Sequence, residues 1–373
     1  MRSRLLLLGG GHSHAIALTE WARSGCPDAA ITLVSPGAIS GYSGMLPGVL
    51  AGVYPPAAIG IDLVRLCRRI GVTFRPGRVV GLDLRRQEVV LAAGDRLPYD
   101  WLSLNLGSTP PAIPGRADGV LAVKPIDRFL QGWMDWLVSL GDHPTAPLQV
   151  GIVGGGVAGV ELALGVDARL RRLWPSASVQ VTLLQRGLNL LRDQSPEFRR
   201  RCRRTLERRG IDIRVDTTVA AIEAGPTVVT LAGDRLPFDQ LLWATGAVAP
   251  AWLAQSGLAT DAQGFVRVEA SLRSHSHPQV FAVGDVAALD PPVPKSGVYA
   301  VRQGPLLAES LRRAIAGEPL RSSPSSRPAL VLLGTGNGEA IAARGAWSAG
   351  PHPFWWWLKQ GIDRRFMARL AGA

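Results

Sequence analysis

The sequence predicts an α/β protein that contains two units of the same design, and the order of its segments is the main reason. A short apolar strand, a glycine turn and a helical stretch follow one another at residues 4–22 and again at residues 149–164. A further apolar strand follows each unit, at residues 30–34 and 179–184, after a helix of suitable length for a crossover between parallel strands. The chain therefore opens a βαβ unit twice.

The remaining segments add further strands to both units and a final group of elements near the C-terminus. Two strands end in Gly107 and Gly246, and a third apolar strand over residues 280–283 leads into Gly284 and Asp285. An acid at the carboxyl end of a strand is placed to hydrogen-bond a sugar or ribitol hydroxyl, although an ordinary Gly-Asp turn is the alternative. The other predicted elements are a helix over 298–315, a proline-rich linker over 319–328 and a strand over 329–333.

Composition excludes some classes of protein. Hydrophobic residues make up 47% of the 373 residues and charged residues 19%, so the chain can bury a substantial core. No apolar run reaches the ~18 residues of a membrane-spanning helix, which argues against an integral membrane protein. The net charge of +12 comes almost wholly from arginine, because only three of the 41 basic residues are lysine. This charge favours anionic partners such as nucleotides or acidic lipids.

The cysteines indicate a reducing compartment. Cys26, Cys67 and Cys202 are odd in number and far apart. They form no Cys-x-x-Cys pair, no zinc-ligand spacing and no disulfide framework. The sequence therefore predicts a cytoplasmic protein without a bound metal.

The second glycine turn fits the dinucleotide-binding fingerprint in full. Gly154, Gly156 and Gly159 have the required spacing between a strand and a helix. The first glycine allows the tight turn, the second lets the backbone approach a pyrophosphate, and the third allows close helix–strand packing. The helix N-terminus then faces the phosphate charge. A glycine turn without a ligand is the alternative, which the flanking strand and helix disfavour.

The first glycine turn is degenerate. Gly9 and Gly11 occupy its first two positions, but His14 stands where the third glycine is expected. A larger side chain there requires looser packing of the helix on the strand. Taken alone, this turn fits a nucleotide site and an ordinary turn equally well, and the duplication of the unit favours the nucleotide site.

Four stretches of the chain resemble one branch of the flavin-dependent pyridine nucleotide oxidoreductases, the superfamily that includes type II NADH dehydrogenases and apoptosis-inducing-factor-like proteins. The stretches are Gly-Gly-Gly-His-Ser-His at 9–14, Tyr-Ser-Gly-Met-Leu-Pro-Gly at 42–48, Pro-Lys-Ser-Gly-Val-Tyr-Ala-Val-Arg-Gln-Gly at 294–304 and Ile-Asp-Arg-Arg-Phe-Met at 362–367. The branch resembles the module fused ahead of selenide, water dikinase in some bacteria, together with its stand-alone relatives. The resemblance covers nearly all of residues 4–320.

The resemblance implies two Rossmann-like domains, with the NAD(P)-binding domain inserted in the FAD-binding domain. We therefore expect an FAD-binding first part at 1–115, an NAD(P)-binding domain at 116–250 and an FAD-binding second part at 251–320. A short C-terminal unit with a Trp-rich tail is expected at 321–373.

The resemblance also implies which residues hold each cofactor. The residues expected around FAD are Gly9, Gly11 and His14 at the pyrophosphate, Ser35 at a strand end, Met45, Leu46 and Pro47 beside the isoalloxazine, Gly107, and Gly284 and Asp285 at the ribitol. The residues expected around NAD(P)H are Gly154, Gly156, Gly159, Arg186 and Gly246.

Two departures from the family pattern affect nucleotide choice. The strand-end acid that usually binds the adenosine ribose is replaced by Ser35 in the FAD half and by Gln185-Arg186 in the NAD(P) half. Without an acid, NADH loses its usual hydrogen bond, and Arg186 is placed to bind a 2′-phosphate. The choice between NADH and NADPH stays open.

The activity implied is hydride transfer from NAD(P)H to FAD, followed by electron transfer to a quinone or another small acceptor. Glu161, which matches a glutamate near the nicotinamide in type II NADH dehydrogenases, and Lys295 are the candidate catalytic residues. The alternatives are a solvated acid in the first turn of a helix and a surface lysine. The expected acceptor pocket contains Ala300, Arg302 and Gln303, but the two glutamines typical of a quinone pocket are replaced by Val298 and Arg302.

Two other functions remain open from the sequence. The fusion partner of the branch suggests a reductase of selenium or sulfur species. A flavin-bearing redox sensor or partner protein without rapid turnover is the other alternative. Dithiol exchange is not expected, because no cysteine pair is present.

Two charged segments bear on partners. Residues 196–209 hold seven arginines and two glutamates on a predicted helix, which indicates a solvated face and not a nucleic-acid surface. In the tail, apolar residues recur every four positions and predict one apolar helical face: Phe354, Leu358, Ile362, Phe366 and Leu370. That face packs on the flavin domain, on a second subunit in a homodimer, or on an anionic membrane, with the protein then peripheral on the inner face of the cytoplasmic membrane.

Overall fold

The computed structural model describes residues 2–116, 118–142, 147–322 and 328–372. The strands up to residue 104 are β1 (Ser3–Leu8), β2 (Ala29–Ser35), β3 (Ile39–Gly41), β4 (Gly60–Asp62), β5 (Thr73–Pro76), β6 (Val79–Asp83), β7 (Glu88–Leu91), β8 (Arg96–Pro98) and β9 (Trp101–Leu104). The next are β10 (Val120–Ala122), β11 (Leu148–Val153), β12 (Val179–Leu184), β13 (Asp212–Arg214), β14 (Val219–Glu223), β15 (Thr227–Thr230), β16 (Arg235–Leu236) and β17 (Gln240–Trp243). The last are β18 (Val266–Val268), β19 (Val280–Ala282), β20 (Ala287–Leu289), β21 (Val331–Gly334), β22 (Ala340–Arg344) and β23 (Trp347–His352).

Helices connect these strands. They are α1 (His12–Ser24), α2 (Leu46–Leu50), α3 (Leu63–Arg69), α4 (Ile126–Ser139), α5 (Val157–Leu173), α6 (Pro196–Arg208), α7 (Trp252–Gln255), α8 (Gly297–Ile315) and α9 (Pro353–Gly372). The predicted helix over 298–315 is α8, and β21 lies close to the strand predicted over 329–333. Residues 323–327 of the predicted linker lie outside the described residues.

The first large sheet has the strand order β19-β9-β1-β2-β5, and each pair of neighbours is parallel. Its central strand β1 is a run of leucines, of which Leu5, Leu7 and Leu8 are fully buried. A run of this kind suits a strand covered on both faces. Helices α1 and α8 pack together, and the indole Nε1 of Trp21 donates to the carbonyl of Ala308 at 3.1 Å.

The second large sheet repeats the plan, with the order β10-β17-β11-β12-β13 and parallel neighbours throughout. All its strands lie between β9 and β19 in the chain, although β9 and β19 are neighbours in the first sheet. The second unit is therefore inserted within the first. The α/β fold class with two Rossmann-like units is confirmed, while the exact domain limits stay predictions.

Smaller sheets extend both units. Each large sheet is accompanied by a three-stranded antiparallel sheet, β6-β7-β8 in the first half and β14-β15-β16 in the second. Near the C-terminus, β21, β22 and β23 form another antiparallel sheet, against which α9 packs. Across the parts of the chain that the structure describes, no helix is long and apolar enough to cross a membrane.

The prediction that five apolar residues share one face of the tail helix is wrong. Phe354 and Ile362 are exposed. The buried residues of α9 are Lys359, Asp363, Phe366 and Leu370. A step of four residues turns a helix about 40° beyond a full turn, so a four-residue repeat drifts around the helix and does not stay on one side. Two charged residues occupy the buried side instead.

Candidate active site

The two glycine turns, residues 9–14 and 154–159, lie at matching places at the carboxyl ends of β1 and β11. Gly9 has φ +93°, and a Cβ there would lie 2.4 Å from the carbonyl oxygen of Asn105. Gly154 has φ +122°, and a Cβ there would lie 2.6 Å from the carbonyl oxygen of Ala244. Each turn therefore passes so close to the neighbouring strand that only glycine fits.

The third position of the fingerprint is occupied by a glycine in the second turn and by a histidine in the first. A Cβ on Gly159 would lie 1.7 Å from the carbonyl oxygen of Gly154, so no other residue fits. In the first turn, the buried ring of His14 crosses the equivalent gap. Its Nδ1 donates to the carbonyl of Gly9 at 2.7 Å, and its Nε2 accepts from the hydroxyl of Ser103 at 2.8 Å. Burial lowers the pKa of His14 to about 4, against the opposing effect of the Gly9 carbonyl, so the ring is neutral.

Space is open in the second turn and at the strand end beside the first turn. A Cβ on Gly156, or on Gly107 after β9, would have no neighbouring heavy atom within 4 Å. Beside the second turn, the buried Thr245 hydroxyl has no hydrogen-bond partner within the described residues. A free approach to backbone amides and an unsatisfied hydroxyl at a strand end fit a bound dinucleotide.

A charged cluster lies at the end of β19 on the first sheet. The Asp285 carboxylate oxygen Oδ2 accepts from the Lys124 ammonium at 2.7 Å and from the Ser108 hydroxyl at 3.0 Å. Lys124 also donates to the Ser108 oxygen at 2.8 Å. Burial raises the pKa of Asp285, but Lys124 and Ser108 outweigh burial and hold that pKa below its ordinary value. Asp285 is therefore ionised near neutral pH, and its carboxylate is bound by side chains from two other segments.

Two amides join the strand ends around the first turn. Asn105 Nδ2 donates to the carbonyl of Val283 at 3.0 Å, and its Oδ1 accepts from the amide of His14 at 3.3 Å. Gln303 Oε1 accepts from the amide of Gly284 at 2.6 Å. Gly284 has φ +69°, and a Cβ there would lie 2.6 Å from Asn105 Nδ2. These contacts set the position of the loop that carries Asp285.

A second ionisable cluster is buried where α5, α9 and the loop after β3 come together. The Lys359 ammonium donates to the Gly44 carbonyl at 2.7 Å and lies 3.3 Å from Asp363 Oδ2 and 3.9 Å from Glu161 Oε1. Asp363 Oδ1 accepts from the Tyr42 hydroxyl at 3.1 Å. The cluster is thus a continuous set of four ionisable groups.

Glu161 is a buried member of that cluster. Its Oε1 accepts from the Gly334 amide at 2.8 Å, and only 8% of the residue is exposed. The alternative of a solvated first-turn acid is therefore wrong, because the C-terminal unit covers it. Burial raises the pKa of Glu161, while Lys359 and the Gly334 amide oppose burial without cancelling it.

Lys295, the other candidate catalytic residue, has different neighbours. Its ammonium donates to the carbonyl of Ala287 at 2.7 Å and lies 3.7 Å from the centre of the Phe265 ring. Burial lowers its pKa, although Asp261 and Asp285 act in the opposite direction. Glu161 and Lys295 are not partners, and Lys295 belongs to the surroundings of Asp285.

The other predicted cofactor residues lie at the ends of strands and in the segment after β3. Ser35 ends β2 next to the first turn and is buried. Met45 and Leu46 are buried in the segment that carries Gly44, and Pro47 is partly buried. Arg186 is exposed at the carboxyl end of β12, and the preceding Gln185 accepts from the Gly155 amide at 2.8 Å. Gly246 follows β17.

The three residues predicted for an acceptor pocket do not share a face of α8. Ala300 and Gln303 are buried against the first glycine turn, and the Ala300 carbonyl accepts from the Ser13 hydroxyl at 2.7 Å. Arg302 is exposed, with its guanidinium 5.7 Å from the Tyr299 ring centre. Ala300 and Gln303 support the turn, and Arg302 faces outward.

The cysteines are unpaired. Cys67 and Cys202 are buried, Cys26 is exposed, and none forms a disulfide. Burial raises the pKa of the Cys67 thiol to about 12 and also raises that of Cys202. Neither buried thiol is set up as a nucleophile.

Sequence patterns missed several residues of these clusters. Lys124 and Ser108 bind Asp285, and Asn105 accepts from the His14 amide. Lys359 lies beside Glu161, and Asp363 and Tyr42 belong to the same cluster through Lys359 and through each other. Tyr42 and Asp363 lie within the stretches on which the family resemblance rests, and this was the only indication in the sequence that they belong to a site. Lys124 had one signal, since it is one of only three lysines in the chain.

Comparison with known proteins agrees with this geometry. The family model "Pyridine nucleotide-disulphide oxidoreductase" matches residues 3–304. Demethylphylloquinone reductase NdbB from Synechocystis sp. is 29% identical over 371 residues, which cover 94% of this chain and 89% of that protein. Human ferroptosis suppressor protein 1 is 28% identical over 279 residues, which cover 71% of this chain and 70% of that protein.

Solved structures share the fold. NDH2 from Plasmodium falciparum in complex with NADH aligns with a TM-score of 0.81 at 14% identity, covering 98% of this chain and 97% of that chain. The sulfide:quinone oxidoreductase from Aquifex aeolicus also aligns with a TM-score of 0.81, at 19% identity, covering 99% and 91%. With two glycine turns on two parallel sheets and a family match over most of its length, the chain is an oxidoreductase and belongs to the pyridine nucleotide-disulphide oxidoreductase family, as its motifs predict.

Proposed function

We propose that the protein is an FAD-dependent NAD(P)H dehydrogenase that passes electrons to a quinone. The observation that carries this proposal is the pair of glycine turns on matching parallel sheets, one beside an ionised aspartate and the other beside an exposed arginine. The names of the relatives support the acceptor class, since the Synechocystis protein is called a demethylphylloquinone reductase.

The first turn suits FAD. Gly9 and Gly11 bring the backbone close to Asn105 and leave the start of α1 facing a pyrophosphate. Asp285 would accept hydrogen bonds from ribitol hydroxyls, and the segment of Met45, Leu46 and Pro47 would lie beside the isoalloxazine. The sites of the two nucleotides lie at the carboxyl ends of the two sheets, where parallel sheets bind ligands.

The second turn suits the nicotinamide nucleotide. Gly154, Gly156 and Gly159 place the amides at the start of α5 toward its pyrophosphate. A bound FAD would supply the hydride acceptor and the electron carrier for this reaction. The protein's part is to hold the two rings together and to keep water out, so the hydride step needs no side chain as a base.

The buried cluster of Glu161, Lys359, Asp363 and Tyr42 holds protons for the acceptor step. Quinone reduction consumes protons as well as electrons. Glu161 and Asp363 both have a raised pKa because of burial, so these carboxyl groups bind a proton more readily than exposed ones. The cluster adjoins the loop that continues into Met45. We assign it the supply and uptake of protons on that side.

The tail helix forms the membrane-facing surface in this proposal. Phe354 and Trp357 of α9 and Trp347 of β23 are exposed, and the exposed arginines Arg364 and Arg365 follow on α9. Exposed aromatic side chains next to arginines suit an anionic lipid surface, from which a quinone would be drawn.

An anaerobic titration tests the function. The purified protein, reconstituted with FAD if needed, is titrated with NADH and with NADPH while the visible flavin spectrum is recorded. We expect at least one nucleotide to bleach the flavin and a soluble quinone analogue to restore the colour. A flavin that neither nucleotide reduces, or a reduced flavin that quinones leave unchanged, would overturn the dehydrogenase or the acceptor assignment respectively.

The same titration defines the part of Arg186. The Arg186→Ala variant should lose about tenfold in affinity for NADPH, because a charge-assisted contact to the 2′-phosphate disappears, and should keep its affinity for NADH. Arg192→Ala, another exposed arginine of the same loop, is the matched control. Equal losses for both nucleotides would assign Arg186 to general charge attraction.

A further inference from the structure

The cation beside Asp285 comes from the other sheet. Lys124 lies two residues beyond β10, an edge strand of the second large sheet, whereas Ser108 and Asp285 follow β9 and β19 of the first. The three polar groups are mutually hydrogen-bonded at 2.7–3.0 Å. A side chain of the inserted unit therefore reaches into the flavin side at the predicted ribitol contact.

The two carboxylate oxygens of Asp285 differ in their hydrogen bonds. Both Lys124 and Ser108 bind Oδ2. Within the described residues no group donates to Oδ1. Lys124 and Ser108 therefore fix the carboxylate through Oδ2, and Oδ1 is available to accept from a hydroxyl donor.

From this geometry we propose that Lys124 is a positioning residue for FAD. It holds the Asp285 carboxylate in the orientation in which Oδ1 accepts a hydrogen bond from a ribitol hydroxyl. It also ties the inserted nicotinamide-binding unit to the flavin side at that point. This inference rests on the proposed function, and it adds a residue from the other domain to the FAD site.

Charges around Asp285 favour this role for Lys124. Two cations face the carboxylate: Lys124 in direct contact, and Lys295 at longer range. The third titratable group, His12 on α1, has its pKa lowered to about 4 by burial and is uncharged near neutral pH. Lys295 is bound to the Ala287 carbonyl, so it cannot replace Lys124 without moving. Removing Lys124 therefore leaves a mostly buried carboxylate without its contact cation, and protonation becomes easier.

The test measures FAD binding to the full-length apoprotein across pH 5–8, by quenching of flavin fluorescence. The Lys124→Met variant should bind FAD about tenfold more weakly than wild type at pH 7. Its affinity should also fall more steeply as the pH is lowered, because the Asp285 pKa rises once the ammonium is gone and protonation removes the charged acceptor. Lys124→Arg should restore most of the affinity and the flatter pH profile.

Two further variants separate positioning from folding. Ser108→Ala keeps the cation and removes the second contact to Oδ2, so it should weaken FAD binding less than Lys124→Met and in the same direction. Arg116→Met removes another cation, one that lies before β10, is exposed and is paired with Asp118, and should bind FAD like wild type. If Lys124→Met does not fold, the comparison of Ser108→Ala and Lys124→Arg with wild type decides the proposal.

The outcomes are distinct. Wild-type affinity and pH profile in Lys124→Met, with FAD bound to the wild type, would overturn this inference alone. A lowered melting temperature of the apoprotein with unchanged FAD affinity would also overturn it, because the contact would then be purely structural. No FAD binding by the wild type would overturn the proposed function and this inference with it.

Discussion

His14 and Gly159 occupy equivalent positions and satisfy the same backbone in opposite ways. At Gly159 the helix approaches so closely that any Cβ would collide with the Gly154 carbonyl. At His14 the helix stands further away, and the imidazole bridges the space to the Gly9 carbonyl and to Ser103. The carbonyl accepts and the serine hydroxyl donates, so the ring must carry its one proton on Nδ1. A second proton on Nε2 would require the Ser103 hydroxyl to rotate and accept from the ring instead of donating to it.

His14 should therefore make the fold sensitive to acid. Its pKa is about 4 in the folded protein and about 6.5 when unfolded, so the unfolded chain takes up the proton first. Stability is lost as the pH falls from about 6.5 to about 4, by about 3 kcal/mol for this group. Chemical unfolding at several pH values checks this. The His14→Gln variant should show a loss smaller by that amount over the same range.

The control for this prediction is His275→Gln, which changes a histidine that is exposed on the surface. It should leave the pH dependence of stability as in wild type. A His14→Gln variant that loses as much stability in acid as wild type would contradict the assignment of the buried neutral ring.

Single-residue roles could be predicted from sequence only where a motif carried them. The glycines of both turns and Asp285 stand at fixed distances from a strand, so their places followed from the pattern. Lys124 and Asn105 carry no such pattern, because their partners are distant in the chain and are brought together by sheet order. Arg302 was predicted to line one pocket with Ala300 and Gln303, but it lies on another side of α8, because neighbours in sequence point to different sides of a helix.

At the scale of elements, the tail helix α9 departs most from the prediction made for it. Its buried side carries Lys359 and Asp363, which bind Gly44 and Tyr42, so α9 covers the loop beside the second ionisable cluster. An apolar repeat cannot reveal this face, since buried charges paired across segments look like surface residues in a sequence. An aromatic surface is left uncovered at the start of α9, formed by Phe354 and Trp357 of that helix and by Trp347 of β23.

That aromatic surface should bind anionic vesicles. Trp357 is 69% exposed and Phe354 51%, so both can enter an interface without unfolding. We expect the protein to float with vesicles that contain phosphatidylglycerol and to bind less at high salt, because screening weakens the contribution of the arginines. Replacing both residues by alanine should weaken binding about tenfold or more, by loss of apolar contact.

Leu231→Ala is the matched control, because Leu231 is 73% exposed elsewhere on the surface. It should float like wild type. A wild-type protein that stays in the soluble fraction with all vesicles would remove the membrane assignment. If the same protein sediments as a dimer and the two alanine substitutions make it monomeric, the surface belongs to a second subunit.

For the whole molecule, the insertion of the second unit within the first means that the first sheet contains strands from both sides of the insertion. The first sheet is complete only when β19 returns to pair with β9, after the whole second sheet has been made. The fold class could be predicted because the βαβ pattern occurs twice. The antiparallel unit of β21 to β23 was only partly predicted, since a strand was expected at its start and its contacts with α5 and α6 are long-range.

FAD should therefore stabilise the molecule as a whole, since its proposed contacts come from segments on both sides of the insertion. At a concentration one hundred times its Kd, a ligand that binds only the folded state adds about 2.7 kcal/mol, which should raise the melting temperature by several degrees.

Gly9→Ala should abolish most of this increase, because the added Cβ collides with the Asn105 carbonyl at the floor of the pyrophosphate site. Gly94→Ala has a nearly identical φ of +91° but no atom within 4 Å of the added Cβ, so it carries the same backbone strain without the collision. Both variants should melt below wild type, and only Gly94→Ala should regain the increase with FAD. An equal increase in both would mean that the first glycine turn does not hold the cofactor.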